Sequence, residues 1–241
     1  MKRDIPEGVS HEELTFDVRE IEPLLSGPES TLTPFVPGMV ELKNGKTLVF
    51  RMLKKEEAPG LLAFLKKVMD VDHDFYDIVG ARVYAEVLGW LRNRLKDVYT
   101  IVGVIDGELA GFANARKRDD DVHISLHSMA YMRGGRVGAA MYYAKAQYAF
   151  EVLGADEWWS TFESYNGWMR WGVGMAQPSY PWPEYQHELG GATVYYITRE
   201  YWDSTVKNYI KEVVGNDIVR PVPADILAST EPLKIPDKPE V

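Results

Sequence analysis

The sequence predicts an α+β fold with a mixed, mostly antiparallel sheet flanked by helices. Strand-like and helix-like segments follow the order β, α, α, β, β, β, α, β, α, β, β, which differs from the alternation of a doubly wound α/β protein. VYTIVGVIDGELAGFANAR (98–116) contains the Asp106-Gly107 pair of a tight hairpin turn. Gly190-Gly191 marks a second hairpin before ATVYYITREY.

The first elements follow from local residue patterns. KTLVFRML (46–53) is rich in β-branched and aromatic residues, which is typical of a strand. Pro59 is tolerated in a first helical turn. Two helices are then predicted, because apolar residues recur at spacings of three and four. These residues are Leu61, Leu65, Val68 and Met69 in the first helix, and Val83, Val87, Leu88, Leu91 and Leu95 in the second.

Later elements complete a domain over residues 46–202. DVHISLHSMAYM (121–132) and DEWWSTFES predict two further strands. The helix between them carries an apolar stripe that would pack on a sheet. Its members are Val137, Ala140, Met141, Ala144, Tyr148 and Val152. Residues 1–45 and 203–241 are predicted to be N- and C-terminal extensions with few regular elements, because proline, glycine and serine punctuate them.

Composition and charge narrow the classes of function. The chain has 241 residues, 46% of them hydrophobic, and a formal net charge of −9. Because phosphate binding needs a basic face, this charge argues against nucleic acid as a partner. The sequence contains no cysteine, which excludes disulfides, thiolate metal sites and a cysteine nucleophile.

Membrane and metal binding are also not expected. The sequence has no run of 18 apolar residues and no secretory signal pattern, so we expect a cytoplasmic protein without membrane contact. The histidines lack the spacing of metal ligands, and the acidic stretch DVDHDFYD (70–77) lacks the glycine and terminal glutamate of a calcium loop. We therefore expect no metal.

The stretch MRGGRVGAAMYYAKAQ (132–147) places three glycines and two arginines at the start of a helix. The first amides of a helix have no intrahelical partner, and the helix dipole adds positive charge there. Gly134 and Gly135 let a ligand approach the backbone, while Arg133 and Arg136 can add charge-assisted bonds. This arrangement suits a pyrophosphate; a simple strand-to-helix turn is the alternative. It matches neither a Walker A motif nor G-x-G-x-x-G.

The same stretch resembles the acyl-CoA-binding motif of the GNAT superfamily of N-acyltransferases, Arg-x-x-Gly-x-Gly/Ala between a strand and a helix. The motif reads Arg133-Gly134-Gly135-Arg136-Val137-Gly138-Ala139. Arg133 and Gly138 match its two ends, whereas Arg136 stands where the family usually has its middle glycine. The element order matches as well, over residues 46–202. The resemblance implies acetyl-CoA, or another acyl-CoA, as co-substrate, bound by these seven motif residues.

The resemblance extends to further donor contacts. Ser128 and Ala130, at the end of the strand before the turn, would line the acyl-CoA site. Asn166, in ESYNGWMRWGVGM, would hydrogen-bond the pantetheine arm between two splayed strands. A helix N-cap is the alternative role of this asparagine.

The chemistry that the resemblance implies is direct attack of an amine on the thioester, which requires a proton acceptor. His123 and His127 are candidates, on one strand face, and Glu163 follows the next strand. Histidines satisfied by hydrogen bonds on a half-buried strand are the alternative. A bulge would turn the later side chains to the other face, so it stays open which histidine faces the acyl group.

A proton donor for the leaving thiolate is less evident. The family's usual tyrosine is replaced by Trp171 at the closest match. Tyr185 is our candidate, with Tyr165 and Tyr180 nearby. PSYPWPEYQ (178–186) is too rich in proline for a plain strand and predicts an aromatic loop. Such a loop suits a pocket for a small or peptidyl amine, or a homodimer contact.

The sequence therefore predicts an N-acyltransferase. Two alternatives stay open. One is a catalytically silent GNAT-like module that binds acyl-CoA or a protein, and the other is a homo-oligomeric assembly protein.

Overall fold

One mixed sheet organises the fold in the computed structural model, which describes residues 26–27, 30, 32–180, 193–215 and 220–239. The strands are β1 (Gly38–Glu41), β2 (Thr47–Met52), β3 (Val98–Ile105), β4 (Glu108–Lys117), β5 (Val122–Ala130), β6 (Glu157–Ser160), β7 (Tyr195–Thr198) and β8 (Arg220–Pro221). Their order across the sheet is β7-β6-β5-β4-β3-β2-β1-β8. Only the β5–β6 pair among these is parallel. The predicted α+β class with a mostly antiparallel sheet is confirmed.

Helices cover both faces of the sheet. They are α1 (Ala58–Val68), α2 (Tyr76–Leu91), α3 (Val137–Gln147), α4 (Tyr165–Gly167), α5 (Arg199–Tyr201), α6 (Lys207–Val214) and α7 (Ala224–Ala228). Wider π-helical turns extend α3 (Tyr148–Val152) and α4 (Trp168–Val173) and join α5 to α6 (Trp202–Val206). No helix within the described ranges is long and apolar enough to cross a bilayer.

Two hydrophobic clusters hold these layers together. On one face, α1 and α2 pack on the sheet through residues such as Leu61, Val87 and Phe112. On the other face, α3 packs with the helical run from α5 to α6 through residues such as Met141 and Trp202. The Asp106-Gly107 hairpin joins β3 to β4 with φ angles of +54° and +80°, as the turn residues predicted.

The segments outside residues 46–202 take part in the same sheet. β1 pairs with β2, and β8 pairs with β1 on its other side. The buried Arg51 side chain of β2 donates to the Thr230 hydroxyl and carbonyl, 2.9 Å away in each case, and forms a two-point ion pair with Glu57 at 2.7 Å. The N- and C-terminal segments thus supply more regular structure than the sequence predicted. Gly190 and Gly191 lie outside the described residues.

Candidate functional site

A cleft of about 240 Å³ opens where β5 and β6 separate. The two strands pair from Val122 and Glu157 to Ser125 and Ser160. Beyond this point β6 ends, whereas β5 continues to Ala130 with no β6 partner. The divergence of two parallel strands leaves room for a ligand between them. The residues that line this cleft include His127, Ser128, Arg133, Gly138, Tyr142, Lys145, Glu163, Asn166 and Arg170.

A bulge in β5 decides which side chains face the cleft. Ser125 pairs with Ala115, but His127 pairs with the adjacent Asn114, so Leu126 is an extra residue in β5. Paired residues point to the same face, and neighbours along a strand point to opposite faces. The prediction that His123 and His127 lie on one strand face is therefore wrong. His123 and Ser125 lie on the α3 face, and His127 lies on the α1–α2 face.

His123 lies in the core and does not line the cleft. Its exposed fraction is 0%, and neither ring nitrogen has a hydrogen-bond partner in the structure. Burial, with a smaller contribution from the Lys117 charge, lowers the pKa of His123 to about 4. The ring is therefore neutral at physiological pH and is not part of the cleft lining.

His127 lines the cleft and is held by a carboxylate that the sequence analysis missed. Its Nδ1 lies 3.0 Å from Oε2 of Glu86, on α2. Because an ionised carboxylate only accepts hydrogen bonds, this contact favours the tautomer of the neutral ring that has its proton on Nδ1 and its lone pair on Nε2. This Nε2 atom is buried without a hydrogen-bond partner. The ring is thus oriented as a proton acceptor.

Glu163 joins the same cluster from the loop after β6. Its Oε1 lies 3.9 Å from Nε2 of His127 and forms an ion pair with Arg82 of α2. Arg82 and Glu86 are four residues apart and therefore share one face of α2. The structure thus brings Glu163 close to His127, one of the two candidate histidines, and adds two charged residues of α2. After Asp77 in its first turn, α2 has no other charged residue, so this i, i+4 pair was the feature of the sequence that could have indicated the site.

A buried lysine and an asparagine complete the cluster. Asn114 Nδ2 donates to Oε2 of Glu86 at 2.6 Å, and its Oδ1 accepts from the backbone amide of His127 at 2.8 Å. Lys145 of α3 donates to the carbonyl oxygens of His127 and Asn114, at 2.9 and 3.3 Å. Both residues were missed in the sequence, although a single charge within AAMYYAKAQYAF was a visible anomaly.

The glycine-rich turn leads into α3 through three residues with positive φ. Gly134, Gly135 and Arg136 have φ angles of +82°, +60° and +68°. Arg136 is the N-cap residue of α3 and adopts the left-handed conformation that glycine favours, at a cost of roughly 1–2 kcal/mol. A β-carbon on Gly135 would lie 2.9 Å from the Asn44 side chain, so the turn packs closely there. Although Arg136 replaces the motif glycine, the backbone at this position therefore keeps the left-handed conformation that a glycine would adopt.

Positive charge collects at this end of the cleft. Arg133 and Arg136 are exposed at the turn, and Arg170, from the turns after α4, lines the cleft. Burial, and secondarily the charge of Arg136, lower the pKa of Arg170. In the first turn of α3 the amides of Ala139 and Ala140 donate to the carbonyl of Arg136, at 3.0 and 3.2 Å, so the amides before them are the ones that can bind a ligand. This group of donors fits an anion such as a diphosphate.

The other predicted donor-site residues divide into two groups. Ser128, Ala130 and Gly138 line the cleft, and the Ser128 hydroxyl is buried without a hydrogen-bond partner. Such an atom is free to bond a polar group of a ligand. Val137 and Ala139 are buried in the first turn of α3 and do not line the cleft.

Asn166 lies at the cleft mouth and is tied across it. Its Nδ2 donates to Oδ2 of Asp74 at 2.9 Å, and the Tyr165 amide donates to the other carboxylate oxygen at 3.0 Å. Ser164 is the N-cap of α4, because its hydroxyl accepts from the Gly167 amide at 2.9 Å. The N-cap alternative for Asn166 is therefore excluded.

Tyr142 occupies the wall opposite the strands, against the tryptophan that replaces the motif tyrosine. The Tyr142 and Trp171 rings stack with centroids 4.7 Å apart. Burial raises the pKa of Tyr142 to about 12, so its hydroxyl keeps its proton at neutral pH. Tyr180 instead donates to Glu157, and Tyr165 is 64% exposed. Tyr185 and most of the aromatic loop lie outside the described residues.

Comparisons with known proteins show the fold. No protein-family model and no curated protein matches the chain. An uncharacterized protein of Bacillus halodurans superposes with a TM-score of 0.51 at 12% identity, over 75% of this chain and 99% of that one. RimJ of Mycobacterium smegmatis, solved with CoA-disulfide, gives a TM-score of 0.50 at 12% identity, over 75% and 95% of the two chains. RimJ is a GNAT N-acetyltransferase. The chain therefore has the GNAT fold.

Proposed function

We propose that this protein is an acyl-CoA-dependent N-acyltransferase that moves an acyl group, acetyl in the simplest case, from coenzyme A to an amine. One observation carries the proposal. A single cleft joins a cationic helix N-terminus to a buried histidine whose Nδ1 is held by a carboxylate. The first end suits the phosphates of the donor, and the second suits removal of a proton from the acceptor.

Several side chains support the proposed binding of the acyl-CoA donor. The diphosphate would lie at the turn before α3, near Arg133, Arg136 and Arg170. The unpaired Ser128 hydroxyl would form a hydrogen bond with the pantetheine arm. Asn166 would also bond the arm, once its hydrogen bond to Asp74 is broken. CoA-disulfide in RimJ agrees with this donor class.

The proton would pass from the amine to Nε2 of His127. Glu86 fixes the tautomer that leaves Nε2 free and stabilises the imidazolium that forms, as the carboxylate does in a Ser-His-Asp triad. Glu163 would attract the incoming ammonium group before it loses its proton. The Tyr142 hydroxyl, which lines the cleft, would stabilise the leaving thiolate by donating a hydrogen bond to it, and the proton that His127 takes from the amine would balance the step.

The first test is thermal unfolding with acetyl-CoA, with free CoA and ATP as comparisons. A ligand at a hundredfold its Kd adds about 2.7 kcal/mol, which raises the midpoint of a chain of this length by roughly 5–10 °C. Arg136→Gly keeps the turn but removes one charge, and should reduce the shift; Lys46→Met removes an exposed lysine and should leave it unchanged. No shift with either CoA ligand would refute the donor site.

The second test is turnover with acetyl-CoA and a panel of primary amines and lysine peptides. His127→Ala should lower kcat by 10²–10⁴, the usual contribution of a general base. His123→Ala is the matched control, because His123 lies on the opposite face of β5. Equal turnover in both variants would remove His127 from the mechanism.

A catalytically silent acyl-CoA-binding module is the second candidate. Trp171 stands where the motif tyrosine is expected and cannot protonate a thiolate, which favours this candidate. A CoA-specific thermal shift without thioester cleavage by any amine would select it.

A further inference from the structure

Lys145 is a fully buried lysine that the proposed chemistry does not use. It belongs to α3, is 1% exposed, and reaches the floor of the cleft from the face opposite to His127. Its ammonium group donates to the carbonyls of His127 and Asn114. The rings of Tyr142 and Trp158 lie 5.5 and 5.7 Å from its Nζ atom. Burial of a charge at this depth needs a reason, because it is costly.

The bulge explains the position of the ammonium group. His127 and Asn114 are the pair directly next to the extra residue Leu126, where the ladder between β4 and β5 is interrupted. Lys145 supplies hydrogen-bond donors to both carbonyls at this interruption. Without these donors, a regular ladder would become more favourable. A shift by one residue would turn His127 to the other face of the sheet.

The charge of Lys145 also acts on the cluster around His127. The charges of Glu86, on α2, and Glu163, in the loop after β6, act on the Lys145 ammonium group. Glu86 in turn contacts His127, and Glu163 pairs with Arg82. Tyr142, on α3, is a further titratable group near the ammonium group, and the Tyr99 hydroxyl of β3 donates to the backbone carbonyl of Lys145. Burial lowers the pKa of Lys145 to about 7, and the charges of Glu86 and Glu163 act in the opposite direction. Below pH 7 Lys145 therefore places a positive charge close to these two carboxylates.

We propose that Lys145 is a positioning residue for proton transfer: it fastens the β5 bulge so that His127 faces Glu86, and it balances the charge of the carboxylates beside His127. This inference rests on the proposed N-acyltransferase function. It does not place Lys145 in contact with the acyl group or the amine.

Three variants separate the two contributions. Lys145→Arg keeps the charge and the donors, Lys145→Gln keeps donors without the charge, and Lys145→Met keeps neither. We expect kcat to fall at least tenfold in the Met variant and less in the Gln variant, with the KM for acetyl-CoA within twofold of wild type. In both, the acid limb of the pH–kcat profile should move to higher pH by about one unit. Lys145→Arg should keep the acid limb of the profile at its wild-type pH and should retain most of the wild-type kcat.

A second measurement does not depend on turnover. The His127 amide donates to Asn114 Oδ1 only while the bulge is intact, so its hydrogen exchange, followed by NMR, reports the bulge. We expect at least tenfold faster exchange in the Met variant and wild-type exchange in the Arg variant. If the Met variant does not fold, the Gln and Arg variants give the comparison.

The outcomes distinguish the two proposals. Wild-type turnover that persists in the Met and Gln variants, with an unchanged pH profile, overturns the role of Lys145 alone. Unchanged amide exchange in the Met variant does the same. Absence of turnover in the wild type with every amine overturns the N-acyltransferase function, whereas faster exchange in the Met variant would still support the fastening of the bulge.

Discussion

Burial of Lys145 makes the stability of the protein depend on pH in a calculable way. The pKa of this lysine is about 7 in the folded protein, against an ordinary value of 10.5. Between these values the unfolded chain binds one more proton, so the free energy of unfolding rises with pH. The slope approaches 1.36 kcal/mol per pH unit, which gives about 3 kcal/mol between pH 7 and pH 9.5.

Lys145→Met removes this contribution. At a single pH, two opposing effects decide whether this substitution raises or lowers the free energy of unfolding. It removes a buried charge, but it leaves two carbonyls without a donor. The pH dependence has no such ambiguity. Between pH 7 and pH 9.5 the free energy of unfolding should rise about 3 kcal/mol less in Lys145→Met than in wild type. The range ends below pH 10 because tyrosines of the unfolded chain ionise there.

Urea unfolding at several pH values, followed by tryptophan fluorescence, measures this difference. Lys46→Met, which removes an exposed lysine of the β1–β2 turn, is the matched control and should follow wild type. Parallel curves for wild type and Lys145→Met, within about 1 kcal/mol, would refute a folded-state pKa near 7. That result would mean that Lys145 keeps its charge through this range.

Three further substitutions test the site and the frame around it. Glu86→Gln removes the carboxylate that orients His127, so kcat should fall at least tenfold at constant KM for acetyl-CoA; unchanged kcat would exclude the pair. Gly135→Ala places a β-carbon 2.9 Å from the Asn44 side chain and should disturb the turn, so calorimetry should show weaker binding of acetyl-CoA. Gly154 also has a positive φ but has no atom within 4 Å of the added β-carbon, so Gly154→Ala should leave the binding unchanged. Arg51→Met leaves a buried carboxylate unpaired and should lower the free energy of unfolding by about 3–5 kcal/mol in urea titrations.

Local signals predicted most of the fold. The Asp106-Gly107 turn and the apolar spacings of α1 and α2 depend on neighbouring residues, and the structure confirms the turn and both helices, although α2 ends at Leu91 and leaves Leu95 outside it. The helical run that includes α5 and α6 was missed, although Trp202, Val206 and Ile210 recur every four residues and are buried. The prolines after position 220 led to the prediction of one irregular segment for the whole tail, and this helical run was therefore not predicted.

The site was only partly predictable, for a different reason. The glycine turn is contiguous, so its residues could be named from a motif. The contact of His127 with Glu86 joins residues 41 positions apart, and it forms only because the Leu126 bulge changes the face on which His127 lies. No residue type near position 126 signals a bulge. The period-two pattern of a strand therefore placed the two histidines together, when the register separates them.

The Leu126 bulge links the features of the site into one arrangement. It turns His127 from the α3 face to the α1–α2 face, where the Arg82 and Glu86 side chains of α2 lie. It also interrupts the β4–β5 ladder and so leaves two buried carbonyls that Lys145 satisfies from α3. The same helix carries the glycine turn at its N-terminus. The donor end and the proton-transfer end of the cleft are thus connected through α3, and a change at Lys145 should alter proton transfer while leaving the turn, eight or more residues away along the helix, intact.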